Sequence, residues 1–461
     1  MTDAREALRR IAVVGDGQVG VLAAIGLKRA LPQAEVSVIA GAPPQDGFAD
    51  RATTALPFTS RLHHRLGVGD MDLVRRAGAS HRLVTRLIGW GGAGQSGLFS
   101  HGSGERVEAS FGERWGGGSR SEEGAAALSF AEVLAQEGRF DPAAAPQVEY
   151  GLRWNGEAYR AVLIDIAQRL GVAYMPDAVE ALEPDGEGGA RSIVLRGGQR
   201  VEAGLFVDCC GALVSLLPDM RIDDWSAHLP VREIVYGETG PPIVALEDRA
   251  HMLDGGWMLE IAGRDGMQRI AGGAVRLPDA VRETVALAPG ALAEPWRGNV
   301  VALGDATAQF EPLFALPLDL AHRQLDLLLE MLPGRTIAPQ ERAEYNRRAV
   351  LMADGVRDTL GALYAAPAAM HVFGEQRRSD NLVRLLDQFT RRGRVPFAEE
   401  SPLLTAELRA LLPSLGMPGG QTAVSRAVAA DPDAARAFAA QAEALLHRVP
   451  PYAQWLARAT A

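Results

Sequence analysis

A glycine-rich turn between an apolar strand and a helix, close to the start of the chain, limits its fold more than any other feature. The apolar run Ile11 to Val14 leads into Gly15-Asp16-Gly17-Gln18-Val19-Gly20, then the helical pattern VLAAIGLKRAL and a second strand candidate, Glu35 to Ala40. Gly-x-Gly-x-x-Gly between a strand and a helix predicts the first β-α-β unit of a doubly wound α/β fold. Its glycines permit the tight turn, the approach of a phosphate and close helix packing. Gly15, Asp16, Gly17, Val19 and Gly20 are therefore candidates for holding a dinucleotide's pyrophosphate at a helix N-terminus. The acid that normally meets the ribose about 20 residues beyond the last glycine is missing. Ala40 stands there.

A second strand end of the same kind lies at Gly298 to Gln324. Val300 to Leu303 reads as a buried strand, Gly304-Asp305 as a tight turn, and the apolar text beyond it as a loop feeding a helix. A carboxylate at Asp305 can hydrogen-bond a sugar or ribitol hydroxyl, and open α/β sheets bind cofactors at such strand ends. A third glycine-bearing strand end, LFVDCCG, lies between them at Leu205 to Gly211. Together the three match the order seen in two-domain FAD proteins. From residue 42 to about 147 the text is rich in Gly, Ser and Arg and reads as extended loops and insertions. Tyr159 to Leu170 reads as an amphipathic helix, and VAYMP and the text to Gly211 as strands around glycine turns. Val231 to Val275 alternates apolar and polar residues, which predicts an antiparallel sheet forming the floor of a substrate cavity. Beyond Gln324 the patterns are helical. The expected architecture is an FAD-binding core (1–225 and 290–330), an antiparallel substrate sheet (226–289) and a helical C-terminal cap (331–461).

Composition narrows the function. The chain has 461 residues and a formal net charge of −10, which argues against a nucleic-acid surface. Its two cysteines, Cys209 and Cys210, are adjacent, so neither a disulfide framework nor metal-ligand spacing can be built from them. No metal is expected. No run of about 18 apolar residues occurs, so no membrane span is expected either. The first residues run into a strand without an apolar leader, which points to the cytoplasm.

At finer grain the chain resembles the flavin-dependent halogenases, the family that contains the tryptophan halogenases, from Ile11 to about Tyr364. RATTALP (Arg51 to Pro57) is similar to the family's Glu-Ala-Thr loop beside the flavin, and GASHRL (Gly78 to Leu83) to the segment with its catalytic lysine. FVDCCG resembles its Asp-Cys-Ser-Gly segment and GWMLEIAG its Trp-x-Trp-x-Ile-Pro signature. NVVALGDATAQFEPLFALPL resembles the strand and Glu-Pro-Leu-Glu-Ser loop over the isoalloxazine. The resemblance adds Ala52, Thr53, Val179, Gly304, Asp305 and Pro312 to the cofactor-binding candidates, and Trp257 and Phe314 to a substrate cavity. It implies FAD, used as FADH2 from a separate flavin reductase. In the family, reduced flavin and oxygen oxidise a halide, and the hypohalous acid reaches a lysine and, with a glutamate, halogenates an indole, pyrrole or phenol.

The departures fall where that chemistry belongs. Arg82 takes the lysine position, and a guanidinium stays protonated and is a poor nucleophile. Phe314 takes the glutamate position and can accept no proton. Ala315, Leu316 and Pro317 follow, and Pro317 lacks the backbone N–H that would help hold a halide. Leu259 and Ala262 replace the second Trp and the Pro of the signature. The remaining catalytic candidates are Arg82 and Glu311. The expectation is an FAD-dependent oxidoreductase of this family with altered chemistry on an aromatic or other small substrate. Two alternatives stay open, a non-catalytic ligand- or partner-binding relative and a halogenase working through Arg82. Expected partners are the small aromatic substrate and the flavin reductase, with a homodimer open to it.

Overall fold

The computed structural model describes residues 6–101, 129–186, 188–421 and 432–461. Two compact units emerge, both discontinuous in sequence. The first comprises Met1–Ala77, Trp154–Ser226 and Val285–Val356; the second comprises Gly78–Arg153, Ala227–Thr284 and Arg357–Ala461.

The first unit is built on the expected β-α-β. Strand Arg10–Val14 enters the core, with Ile11 to Val14 buried, and helix Gln18–Ala30 leaves the turn with its first ten residues buried. The fingerprint spacing has a steric cause here. Gly15 has φ +111°, and a Cβ on Gly20 would come within 1.9 Å of the Gly15 carbonyl oxygen, so the helix packs this close only with glycine. The sheet runs Trp296–Arg297, Val300–Ala302, Leu205–Asp208, Arg10–Val14, Glu35–Ile39, Ala173–Met175, six strands in that order. All pair in parallel except the short edge strand Trp296–Arg297. Val13 lies between Val38 and Val207, which puts the ends of the central strands in one row. A small antiparallel sheet, Val179–Pro184, Ala190–Leu195 and Arg200–Val201, packs Ile193, Leu195 and Val201 with Ala12, Val14, Phe206 and Val300.

In the second unit the strands Glu233–Gly237, Gln268–Gly273, Gly256–Ile261, Glu247–Leu253, Val84–Ile88 and Ser96–Ser100 follow one another in one sheet. Its antiparallel core from Glu233 to Gly273 matches the expected sheet, while Val84–Ile88 joins it in parallel beside Glu247–Leu253. The reading of 42–147 as loops is thereby corrected. Its described part contains helices Pro57–Arg65, Asp70–Arg76 and Phe130–Gln136 and strands Ser80–Arg82, Val84–Ile88 and Ser96–Ser100. The glycine-rich residues 102–128 lie outside the described residues. Pairing across the sheet and capping of a helix supply the physical reason. Arg86 interrupts the apolar text of its strand but pairs with Glu247 across the ladder at 2.6 Å, and Ser129 and Glu132 form a reciprocal capping box that starts the helix Phe130–Gln136. C-terminal helices follow as expected, Pro339–Tyr364, Pro367–Phe373, Asp380–Arg392, Thr405–Ser414, Pro432–Arg448 and Tyr452–Thr460. Leu445, Val449 and Tyr452 close a core with Leu83, Val84, Phe130 and Leu134.

Candidate functional site

The row of strand ends in the first unit gathers most of the predicted cofactor residues. Gly15, Asp16, Gly17, Val19 and Gly20 form the turn and first helical positions after Arg10–Val14, and Gly304 and Asp305 form the turn after Val300–Ala302. Between them Asp208 ends its strand by accepting backbone N–H bonds from Cys210, Gly211, Leu213 and Val214, which fixes the turn that follows. Cys209 and Cys210 are free and buried, and burial pushes the Cys210 thiol up to about 12.

A segment that runs into RATTALP and carries the candidates Ala52 and Thr53 crosses this row. Residues 47–53 lie against the fingerprint, and the Asp50 carboxylate stands at the N-terminus of helix Gln18–Ala30. Its Oδ1 accepts the Val19 N–H at 2.9 Å. A Cβ added to Gly17 would lie 2.0 Å from its Oδ2. The Gln18 amide donates to the carbonyls of Ala49 at 2.6 Å and Ala52 at 2.9 Å. Asp305, 2% exposed, anchors the same segment. Its Oδ1 accepts from Phe48 N–H and Ala49 N–H, both at 2.9 Å, and its Oδ2 from Asp50 N–H at 3.1 Å. Burial raises Asp305 to about 6 against those three hydrogen bonds. Burial and the neighbouring Asp305 raise Asp50 to about 7.

Asp16 is tied down on the other side of the turn. Its Oδ2 lies 2.6 Å from Arg160 Nη2 and accepts the Tyr174 hydroxyl at 2.9 Å, and its Oδ1 accepts Gly41 N–H at 3.3 Å. Thr53 accepts Trp154 N–H through its carbonyl, and Val179 opens the strand Val179–Pro184 and packs on the apolar cluster beneath. Glu311 is fully buried and Pro312 partly exposed. Phe314 and Ala315 are both in the left-handed region, at φ +55° and +57°, and helix Leu316–Glu330 starts after them with Pro317 in its first turn. Two successive non-glycine residues there store strain, on the order of 1 kcal/mol each.

The remaining candidates belong to the second unit. Arg82 is 3% exposed on strand Ser80–Arg82. Its Nε lies 2.5 Å from Asp248 Oδ2 and its Nη2 donates to Thr85 Oγ1 at 3.1 Å, while Thr85 also meets His101 Nε2 at 3.2 Å. Burial disfavours both charges of the Arg82–Asp248 pair, and each partner offsets the other's cost. Arg153 adds a second buried cation near Asp248 and pairs with Asp265 at 2.9 Å. Trp257 is fully buried, donates from Nε1 to the Tyr364 hydroxyl at 3.1 Å, and lies so close to Gly272 that a Cβ there would come within 2.4 Å.

Asp50, Gln18 and Asp248 are the residues that sequence reading missed. Asp50 directly precedes RATTALP, the loop identified by resemblance, but its fold-back onto Val19 is a contact across 31 positions. Asp248 follows an apolar run, PIVALE, whose alternation is its only signal.

A parallel sheet with a glycine turn, a helix N-terminus and a second Gly-Asp turn at one row of strand ends defines an α/β protein with a two-domain FAD-binding type of fold. The family profile described as tryptophan halogenase matches residues 10–275 and 269–404, and the chain belongs to that family. It is 23% identical over 435 residues to tryptophan 7-halogenase RebH of Lentzea aerocolonigenes, which covers 82% of this chain and 81% of that protein. The fold is shared with the flavin-dependent halogenase BrvH of Brevundimonas sp. BAL3, at TM-score 0.85 and 22% identity over 98% of this chain and 99% of that one. Xcc4156, a flavin-dependent halogenase from Xanthomonas campestris, aligns at TM-score 0.83 and 21% identity over 98% of both chains.

FAD, which the family implies, can be tested against these residues. The glycine turn and helix N-terminus suit a dinucleotide in kind. As folded, however, the Asp50 carboxylate holds the Val19 N–H and the space over Gly17, so segment 47–53 in this position and a pyrophosphate do not fit together.

Proposed function

We propose that the chain is an FAD-dependent oxidoreductase of the tryptophan halogenase family that acts on an aromatic or other small substrate without lysine-borne halogenation. Arg82 carries this reading. By resemblance Arg82 takes the position of the family's lysine, and its guanidinium is held 2.5 Å from a buried carboxylate. A group so paired can donate hydrogen bonds, but it has no lone pair to take a halogen. Phe314 and Pro317 support the same reading, because the Phe314 side chain offers no base and Pro317 offers no backbone N–H. FAD would lie along the fingerprint of the first unit, reduced by a separate reductase. A reducing, cytoplasmic setting suits the two free thiols, and a homodimer is the assembly to test.

A second reading, a non-catalytic protein that binds a small ligand or a partner, is favoured by one observation, the Asp50 carboxylate on the Val19 N–H at the start of helix Gln18–Ala30. Titrating FAD with the purified chain and following flavin fluorescence separates the two. Saturable quenching at micromolar protein is expected. A colourless chain that leaves the fluorescence unchanged would favour the second reading.

A further inference from the structure

We infer that the Asp50 carboxylate is an internal stand-in for a phosphate, and that segment 47–53 must leave the fingerprint before a dinucleotide can occupy it. This rests on the first unit being the flavin site, and it adds a conformational step that the site imposes on its own ligand.

Three sets of contacts carry the inference. First, the carboxylate engages what a phosphate would engage. It accepts the N–H of Val19 at the N-terminus of a 13-residue helix and lies over Gly17. Helix N-termini of this kind attract anions through the partial positive charge of their free N–H groups. Second, the segment is latched from two sides. The Gln18 amide holds the carbonyls of Ala49 and Ala52, and Asp305 accepts three consecutive backbone N–H groups from Phe48 to Asp50. Asp305, the carboxylate expected to meet a ribitol hydroxyl, therefore commits its oxygens to the segment, so one movement would free both binding groups. Third, the latch is not at rest. Asp50 and Asp305 repel each other, with Asp16 adding to the repulsion and Arg160 relieving it. Gln18 Oε1 is buried without a hydrogen-bond partner although its amide nitrogen is doubly engaged.

The closed segment lowers the apparent affinity for a dinucleotide by the fraction of molecules in which it is displaced. Removing the carboxylate should raise that fraction and also remove a negative charge beside two phosphates. The test is equilibrium titration of FAD, followed by fluorescence, with the full-length wild-type chain, Asp50→Ala and Gln18→Leu. Gln18→Leu removes one of the two sides of the latch without touching the carboxylate, and thermal unfolding of each variant verifies that it is folded. Asp50→Ala is expected to bind FAD at least tenfold more tightly than wild type, and Gln18→Leu to shift in the same direction. A folded Asp50→Ala that binds FAD no better than a flavin-binding wild type would overturn the inference and leave the flavin site standing. Should Asp50→Ala not fold, a Gln18→Leu chain with unchanged FAD affinity would overturn the inference in its place. Absence of FAD binding by all the folded chains would overturn both.

Discussion

Asp50 experiences two opposed effects at once, a stabilising hydrogen bond from Val19 N–H and the cost of ionising beside Asp305 in a buried setting. The second is larger and raises it from its ordinary 3.8 to about 7. A carboxyl group whose folded pKa is raised binds its proton more tightly in the folded chain. Its contribution is fully present below 3.8 and is lost as the pH rises through about 7. Wild type should therefore lose stability relative to Asp50→Asn between pH 5 and pH 8, by on the order of 2 kcal/mol, in urea unfolding at the two pH values. A difference that stays constant with pH would contradict the raised pKa. The fingerprint glycines were legible because backbone sterics dictate them: nothing larger fits between the Gly15 carbonyl and Gly20. Asp50 and Asp248 were not legible in the same way. Their meaning depends on partners such as Val19 and Arg82, 31 and 166 positions away, and an aspartate looks the same in sequence whether solvated or buried.

Among the described elements, the turn Leu313–Ala315 holds two successive non-glycine residues in left-handed backbone. Phe314 and Ala315 adopt left-handed angles in succession, directly before helix Leu316–Glu330, which has no side-chain cap at its start. A glycine tolerates that conformation without a Cβ clash. Ala315→Gly is expected to stabilise the chain by up to about 1 kcal/mol, after the entropy of the unfolded glycine is subtracted, and to raise the thermal midpoint accordingly. A lower midpoint would show that the turn relaxes in solution. The elements that sequence reading found were those with one uninterrupted signal, such as Ile11–Val14, Val300–Ala302 and the alternating strands after Val231. It passed over Val84–Ile88 because Arg86 breaks the apolar run and is offset only by Glu247 on another strand. It also passed over Ser96–Ser100, where glycine and serine neighbours hide a strand that pairs at every position with Val84–Ile88.

For the whole molecule, the lineage is established and the altered chemistry is our proposal. Membership of the tryptophan halogenase family rests on a profile match spanning residues 10 to 404 and on a fold shared with flavin-dependent halogenases over almost the full chain. On our proposal the groups on which family chemistry depends are replaced at separate places in both units, with Arg82 paired to Asp248 in one and Phe314 followed by Pro317 in the other. No single substitution accounts for all of these. If that proposal holds, the chain handles flavin without delivering halogen. The most direct measurement is a reaction of the purified chain with FAD, a flavin reductase, NADH, oxygen, saturating bromide and an indole, analysed by mass spectrometry. No halogenated indole above the background without the protein is expected, with flavin bound by the chain in the same sample. Brominated indole formed in proportion to the chain, and abolished by Arg82→Ala in a folded variant, would contradict the loss of halogen delivery.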